Sequence, residues 1–138
     1  IILYIADYKY KTLNEVLETE PQFLVLLDHL EDPHNLGAII RTCEAAGVDA
    51  IIMPRDRQVQ INATVMKTSV GTLDNINIVA VTNLVQTIDE LKSKITSKTK
   101  AVIINSPNNP SGVIYSENTI KNLANILMEK QAFVNYQM

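Results

Sequence analysis

Phe23-Leu24-Val25-Leu26-Leu27-Asp28-His29-Leu30-Glu31-Asp32-Pro33-His34-Asn35-Leu36-Gly37-Ala38-Ile39-Ile40-Arg41-Thr42 contains the change of periodicity that decides the fold class. Phe23 to Leu27 is an unbroken apolar run, as expected of a strand buried on both faces. A polar stretch follows, Asp28 to Asp32. Leu36, Ile39, Ile40 and Cys43 then recur at helical spacing, and Gly47 marks the stop. Pro33 closes the extended segment, and Asn35 stands where the helix cap is expected. A buried strand leading through a loop into a helix is half of a strand-helix-strand unit.

Three more apolar runs repeat the pattern: Ala50 to Met53, Ile76 to Val81 and Ala101 to Ile104. Helical spacing lies between them. Thr82 or Asn83 is placed to cap a helix through Leu84, Ile88 and Leu91, and Ser116 to cap one through Ile120, Leu123, Ile126 and Leu127. A weaker helix is expected from Thr12 to Glu18, and Ile61 to Met66 reads as either helix or loop. Strands alternating with helices indicate an α/β fold, a parallel sheet with helices on both faces. The expected organisation is one α/β domain over residues 1–138. Its parts are a lead-in at 1–20, a front at 21–93 and a distinct C-terminal part at 94–138. Ligands of such folds sit beyond the carboxyl ends of the strands, where the strand order reverses. Asp28 to Asn35 and Asn105 to Gly112 are the two loops of that kind richest in chemistry.

Composition narrows the function. The chain has 138 residues, 46% of them hydrophobic and 20% charged, enough for one buried core and inconsistent with disorder as the main state. No apolar run approaches the roughly 18 residues of a membrane span. The single cysteine, Cys43, excludes an internal disulfide framework and fits a reducing, cytoplasmic compartment. No metal site is expected. With 12 basic against 15 acidic residues, the chain does not hold nucleic acid by bulk positive charge. The basic residues are unevenly spread, however. Residues 55–100 carry Arg55, Arg57, Lys67, Lys92, Lys94, Lys98 and Lys100, against Asp56, Asp74, Asp89 and Glu90. Aromatic residues are absent from Leu24 to Ile114, which leaves no base-stacking platform there.

Within the opening stretch, Asn35 and Arg41 are the candidate site residues. Both lie in the first two turns of the expected helix, where free N–H groups favour an anion such as a phosphate. Arg41 is also placed to pair with Glu44 or Asp32. His29 and His34 flank the motif as general-base material, and nothing in the sequence pairs them with an orienting acid.

Asp32-Pro33-His34-Asn35-Leu36-Gly37-Ala38-Ile39-Ile40-Arg41-Thr42 resembles the first motif of the SpoU-type RNA ribose 2′-O-methyltransferases of the SPOUT superfamily. The similarity continues through Ala45-Ala46-Gly47-Val48, Val65-Met66-Lys67-Thr68-Ser69-Val70-Gly71 and Val81-Thr82-Asn83-Leu84, about residues 3–93 in all. The resemblance implies a SPOUT, Rossmann-like fold and transfer of a methyl group from S-adenosylmethionine to a ribose 2′-hydroxyl in ribosomal or transfer RNA. It implies Asn35 as the motif asparagine that orders the site. Arg41 is implied as the arginine that helps deprotonate the hydroxyl and holds the RNA phosphate. It also implies a homodimer. The family's Gly-Ser-Glu-Gly-type loop and its knot-threading Ser-Leu-Asn-Val-Ser-type segment have no recognisable counterpart, and residues 94–138 contain only Gly112.

Ile95 to Ser116, with Asn105-Ser106-Pro107-Asn108-Asn109-Pro110-Ser111-Gly112, instead resembles the fold-type I aminotransferases. That resemblance extends to about Lys130 and implies Asn109 as a contact to pyridoxal phosphate. No Schiff-base lysine, phosphate-anchoring arginine or pyridine-pairing aspartate accompanies it. The two resemblances meet near Lys92 to Ile95, the pattern of a composite chain. The expected alternatives to the methyltransferase are therefore a non-catalytic chimera, engineered or recombined, and a fragment of a pyridoxal-phosphate enzyme.

Overall fold

The computed structural model describes residues 8–28, 30–94, 101–105, 117–118, 121, 124–125 and 133–137. Five strands, β1 (Phe23–Leu26), β2 (Ala50–Pro54), β3 (Asn77–Val81), β4 (Ala101–Asn105) and β5 (Phe133–Gln137), form one sheet in the order β3-β2-β1-β4-β5. Every pairing is parallel, with Leu24 opposite both Ala50 and Val102, and Ile51 opposite Ile78. The four apolar runs read from the sequence are the first four strands. The fifth mixes aromatic, branched and polar residues at a sheet edge, so it lacks the continuous apolar signature of a strand covered on both sides.

The helices are α1 (Leu13–Leu17), α2 (Pro33–Ala45), α3 (Ala63–Thr68) and α4 (Leu84–Lys94), with a 3₁₀ turn at Thr72–Asp74. Each α-helix start has a side-chain cap. Thr12 and Glu15 form a reciprocal capping box on α1, with the Thr12 amide donating to Glu15 Oε2 at 2.7 Å. Asn62 Oδ1 accepts from the amides of Thr64 and Val65 at 3.0 Å, so the ambiguous segment Ile61 to Met66 contains a helix start. Asn83 Oδ1 accepts from the Gln86 amide, which selects Asn83 over Thr82 as the cap of α4. Most of the helix expected after Ser116 lies outside the described residues.

Alternation along the strands divides the core into two layers. Leu24, Leu26, Ala50, Ile52 and Val79 point to one face, packed with Val16 of α1 and Leu84, Ile88 and Leu91 of α4. Val25, Ile51, Met53 and Ile78 point to the other, against Leu36, Ile40 and Cys43 of α2 and Val65 of α3. Ile51, Ile52, Met53 and Ile78 are fully buried, each worth about 1.5–3 kcal/mol relative to exposure.

The chain winds outward from β1 through α2 to β2 and β3, then returns through α4 to β4 on the far side of β1. Because parallel crossovers keep one hand, reversing direction puts α4 on the opposite face from α2. The reversal point lies between β1 and β4. The loop after β1 is one of the two named from the sequence; the other, after β4, lies outside the described residues beyond Asn105.

Candidate active site

Helix α2 begins one turn earlier than its apolar spacing predicts. Asp32 is the N-cap, with extended backbone (φ −85°, ψ 119°), and its Oδ1 accepts from the His34 amide at 2.9 Å. Pro33 is the first helical residue, where its fixed φ suits the helix and its missing N–H costs nothing. Asn35 is therefore the third helical residue and not the cap. The expected anion cradle at the helix start is corrected by the same geometry. A carboxylate already occupies the cap, and Pro33 has no N–H to offer.

Asn35 and Arg41 are both exposed on α2. Six residues of helix separate them by about 9 Å along the axis and about 120° around it. They share one broad face, with exposed Ala38 and Thr42 between them, but not one stripe. His34, seven residues before Arg41, lies within about 20° of it on the same stripe. His34 is exposed and shows no orienting acid on its ring. His29 and Asn109 lie outside the described residues.

The expected pairing of Arg41 is not formed. Asp32 is engaged as the cap, and Glu44 Oε1 accepts from Asn75 Nδ2 at 3.2 Å, tying α2 to the 3₁₀ turn. Among the described residues no ion pair holds the Arg41 guanidinium. Its charge is left facing solvent.

The flank of α2 that meets α3 explains the glycine in the motif. A Cβ on Gly37 would stand 1.9 Å from Thr68 Oγ1, 2.7 Å from Thr68 Cβ and 3.1 Å from the Ser69 amide nitrogen. The end of α3 therefore touches the backbone of α2 directly, and Thr68 Oγ1 lies 3.5 Å from the Pro33 carbonyl. This contact sets the segment Ser69-Val70-Gly71 beside the first turns of α2.

The loop between β1 and α2 is fixed from beneath. Asp28 is buried. Leu30 donates its amide to Gln58 Oε1 at 2.7 Å, and its carbonyl accepts from the Val59 amide at 2.7 Å. Gln58 Nε2 is buried with no hydrogen-bond partner. The loop after β2 is held in turn by Gln60 Nε2, which donates to the carbonyls of Pro54, Arg55 and Gln58. Tyr10 Oη accepts from the Ile61 amide at 2.8 Å, and burial raises the pKa of Tyr10. Gln58 was missed in the sequence because it stands among charged neighbours, in a segment whose spacing gives no sign of burial. Val70, exposed with φ 54°, carried only the family resemblance.

A model of the SpoU rRNA Methylase family matches residues 22–127. A Staphylococcus epidermidis protein assigned to the TrmH family of tRNA/rRNA methyltransferases is 45% identical over 93 residues, 64% of this chain and 37% of that protein. A Staphylococcus aureus counterpart is 44% identical over 93 residues, again 64% of this chain, and 38% of that protein. The chain thus spans well under half the length of these relatives. Among solved structures, an rRNA methyltransferase from Sinorhizobium meliloti superposes with a TM-score of 0.63 at 22% identity, covering 96% of this chain and 54% of that one. The SpoU methyltransferase AviRb from Streptomyces viridochromogenes, solved with AdoMet, gives 0.58 at 18% identity, covering 88% and 64%. At these identities the two superpositions speak for the fold. The family match runs through residues 95–127, where the aminotransferase resemblance was read. Neither pyridoxal phosphate at Asn109 nor a chimeric origin finds support, and both readings are withdrawn.

Proposed function

The chain belongs to the SpoU rRNA methylase family, and we propose that it forms part of an S-adenosylmethionine-dependent enzyme that methylates a ribose 2′-hydroxyl in ribosomal or transfer RNA. The observation that carries this reading is the outer face of α2. Asn35 and Arg41 are exposed on it, Arg41 is free of any ion pair among the described residues, and it borders the loop at the strand-order reversal.

The described residues fit a methyl donor at two points. The strand order reverses between β1 and β4, and α/β sheets take ligands beyond the carboxyl ends of such strands. Gln58 Nε2, a buried donor with no partner under the β1–α2 loop, complements an acceptor-rich ligand such as one bearing a carboxylate and adenine nitrogens. When bound, S-adenosylmethionine supplies an electrophilic methyl group on a positively charged sulfur.

The protein's own groups act on the RNA. Arg41 holds a phosphate by charge-assisted hydrogen bonds. A guanidinium is already protonated at neutral pH and cannot accept the hydroxyl proton. Arg41 therefore works as a cation, favouring negative charge on the 2′-oxygen, while the proton passes to water. The Asn35 amide offers both donor and acceptor to orient the ribose hydroxyl. With the donor bound, the 2′-oxygen oriented by Asn35 and Arg41 would be the acceptor of its methyl group.

Calorimetric titration with S-adenosylmethionine tests donor binding. Transfer of labelled methyl groups to ribosomal and transfer RNA, mapped by resistance of the modified linkage to alkali, tests the reaction. The reading expects heat on titration and alkali-resistant linkages. No heat and no thermal protection at millimolar donor would sink it.

A further inference from the structure

The three residues after α3 break a rule that the same chain obeys elsewhere. Helix α2 is capped at Ala46, and Gly47 follows with φ 73°. The Gly47 amide donates to the Glu44 carbonyl at 3.0 Å and the Val48 amide to the Cys43 carbonyl at 2.9 Å, so the left-handed position after the helix holds a glycine, its usual occupant. Helix α3 is capped at Ser69 in the same way. The Val70 amide donates to the Lys67 carbonyl at 3.3 Å, the equivalent bond, but the left-handed position holds valine, with φ 54°. Glu20 and Arg57 also have positive φ, but neither is β-branched, and a branched side chain is the worst suited to that region. Gly71, which would suit the position, stands one residue too late.

Nothing in the packing explains the valine. It is 71% exposed and is the one large hydrophobic side chain exposed among the described residues. Strain of this kind is kept at working sites more readily than at idle ones. The surroundings supply the context. Ser69 and Thr68 touch α2 at Gly37, one turn before Arg41. Lys67 is exposed in the last turn of α3. Val70 thus follows directly on the residues that touch α2 at Gly37, three residues after Lys67, and Arg41 stands one turn along α2 from that contact.

We propose that Val70 is a substrate-contacting residue: its isopropyl group packs against the sugar or base of an unpaired RNA nucleotide whose phosphate Arg41 holds. The proposal rests on the RNA-methylating reading of the α2 face and adds a specificity element to it. Charge holds phosphates without regard to sequence. An apolar wall at fixed distance favours a nucleotide that can be turned out of a stack, as single-stranded loops allow.

Val70→Gly and Val70→Asn both suit a left-handed backbone. Each is expected to raise the midpoint of thermal unfolding by about 4 °C or more. Each is also expected to weaken binding of a fluorescein-labelled single-stranded RNA oligonucleotide by up to about tenfold, the worth of burying a valine side chain. Calorimetric affinity for S-adenosylmethionine should not change. A merely structural valine would raise stability on replacement and leave RNA affinity alone, which would overturn the proposal while the proposed function stands. Unchanged stability would overturn it as well, by removing the strain. If the unsubstituted protein binds no RNA, both readings fall together.

Discussion

Replacing Gly37 by alanine tests the helix contact that supports the candidate site. The added Cβ would meet Thr68 Cβ at 2.7 Å as well as Thr68 Oγ1 at 1.9 Å, so turning the threonine side chain does not clear the clash. Helices α2 and α3 must move apart. Overpacking of this severity costs about 3 kcal/mol, the upper end of the usual range. Alanine returns about 1 kcal/mol through its higher helix propensity. The expected net loss is about 2 kcal/mol, or a fall of about 8 °C in the unfolding midpoint for a domain of this size. Urea unfolding followed by circular dichroism measures it directly. Thr68→Gly in the Gly37→Ala background removes both threonine atoms and leaves the Ser69 amide nitrogen, at 3.1 Å, as the nearest atom. The double variant should therefore be about 1–2 kcal/mol more stable than the sum of the single changes requires. A Gly37→Ala protein as stable as the original, or a cycle without coupling, would refute the argument that backbone contact sets the helix spacing.

Two further outcomes follow from the same elements. Asp32→Ala removes the cap of α2 and should cost about 1 kcal/mol, whereas Asp32→Asn keeps an acceptor for the His34 amide and should stay within a few tenths; equal losses in urea unfolding would show that the cap does not act through that bond. Burial pushes the Cys43 thiol from 9.0 up to about 11. The fold thus favours the neutral thiol. Its contribution is complete below pH 9 and is lost as pH rises through 11, at no more than about 1.4 kcal/mol per unit. Unfolding free energies measured from pH 8 to 11 should fall more steeply for the original protein than for Cys43→Ala, and parallel slopes would contradict the assignment.

Strand positions were legible because burial on both faces writes an unbroken apolar run, as in Ala50 to Met53 and Ala101 to Ile104. The strand order is written nowhere in the sequence. It depends on which side of β1 the return through α4 docks, a choice made by packing of Leu84, Ile88 and Leu91 on the face that α2 leaves open. The start of α2 was misplaced because apolar spacing begins at Leu36, while the helix itself is initiated by Asp32 and Pro33, neither of which contributes to the apolar stripe. Asn35 and Arg41 were legible as a motif, but their separation around the helix was not. Gln58 and Val70 were legible only as residue types. Burial of one and strain of the other arise from loops whose course depends on contacts distant in sequence, such as Leu30 with Gln58 and Gly37 with Thr68.

The corrected helix start changes the electrostatics of the site. Were Asn35 the cap, a phosphate at the helix end would be bound by backbone N–H groups and the helix dipole. With Asp32 in that place, the helix end is already occupied by a negative group that accepts the His34 amide. Under the proposed function a phosphate approaches the side of α2 instead, where Arg41 offers a charged fork. Side-chain cations in water attract phosphates weakly at physiological salt. Charge alone therefore gives this face little hold on RNA, in keeping with a chain that carries more acidic than basic residues. Recognition on such a surface must draw on shape and apolar contact as well, and among the described residues only Val70 offers a large apolar side chain to solvent.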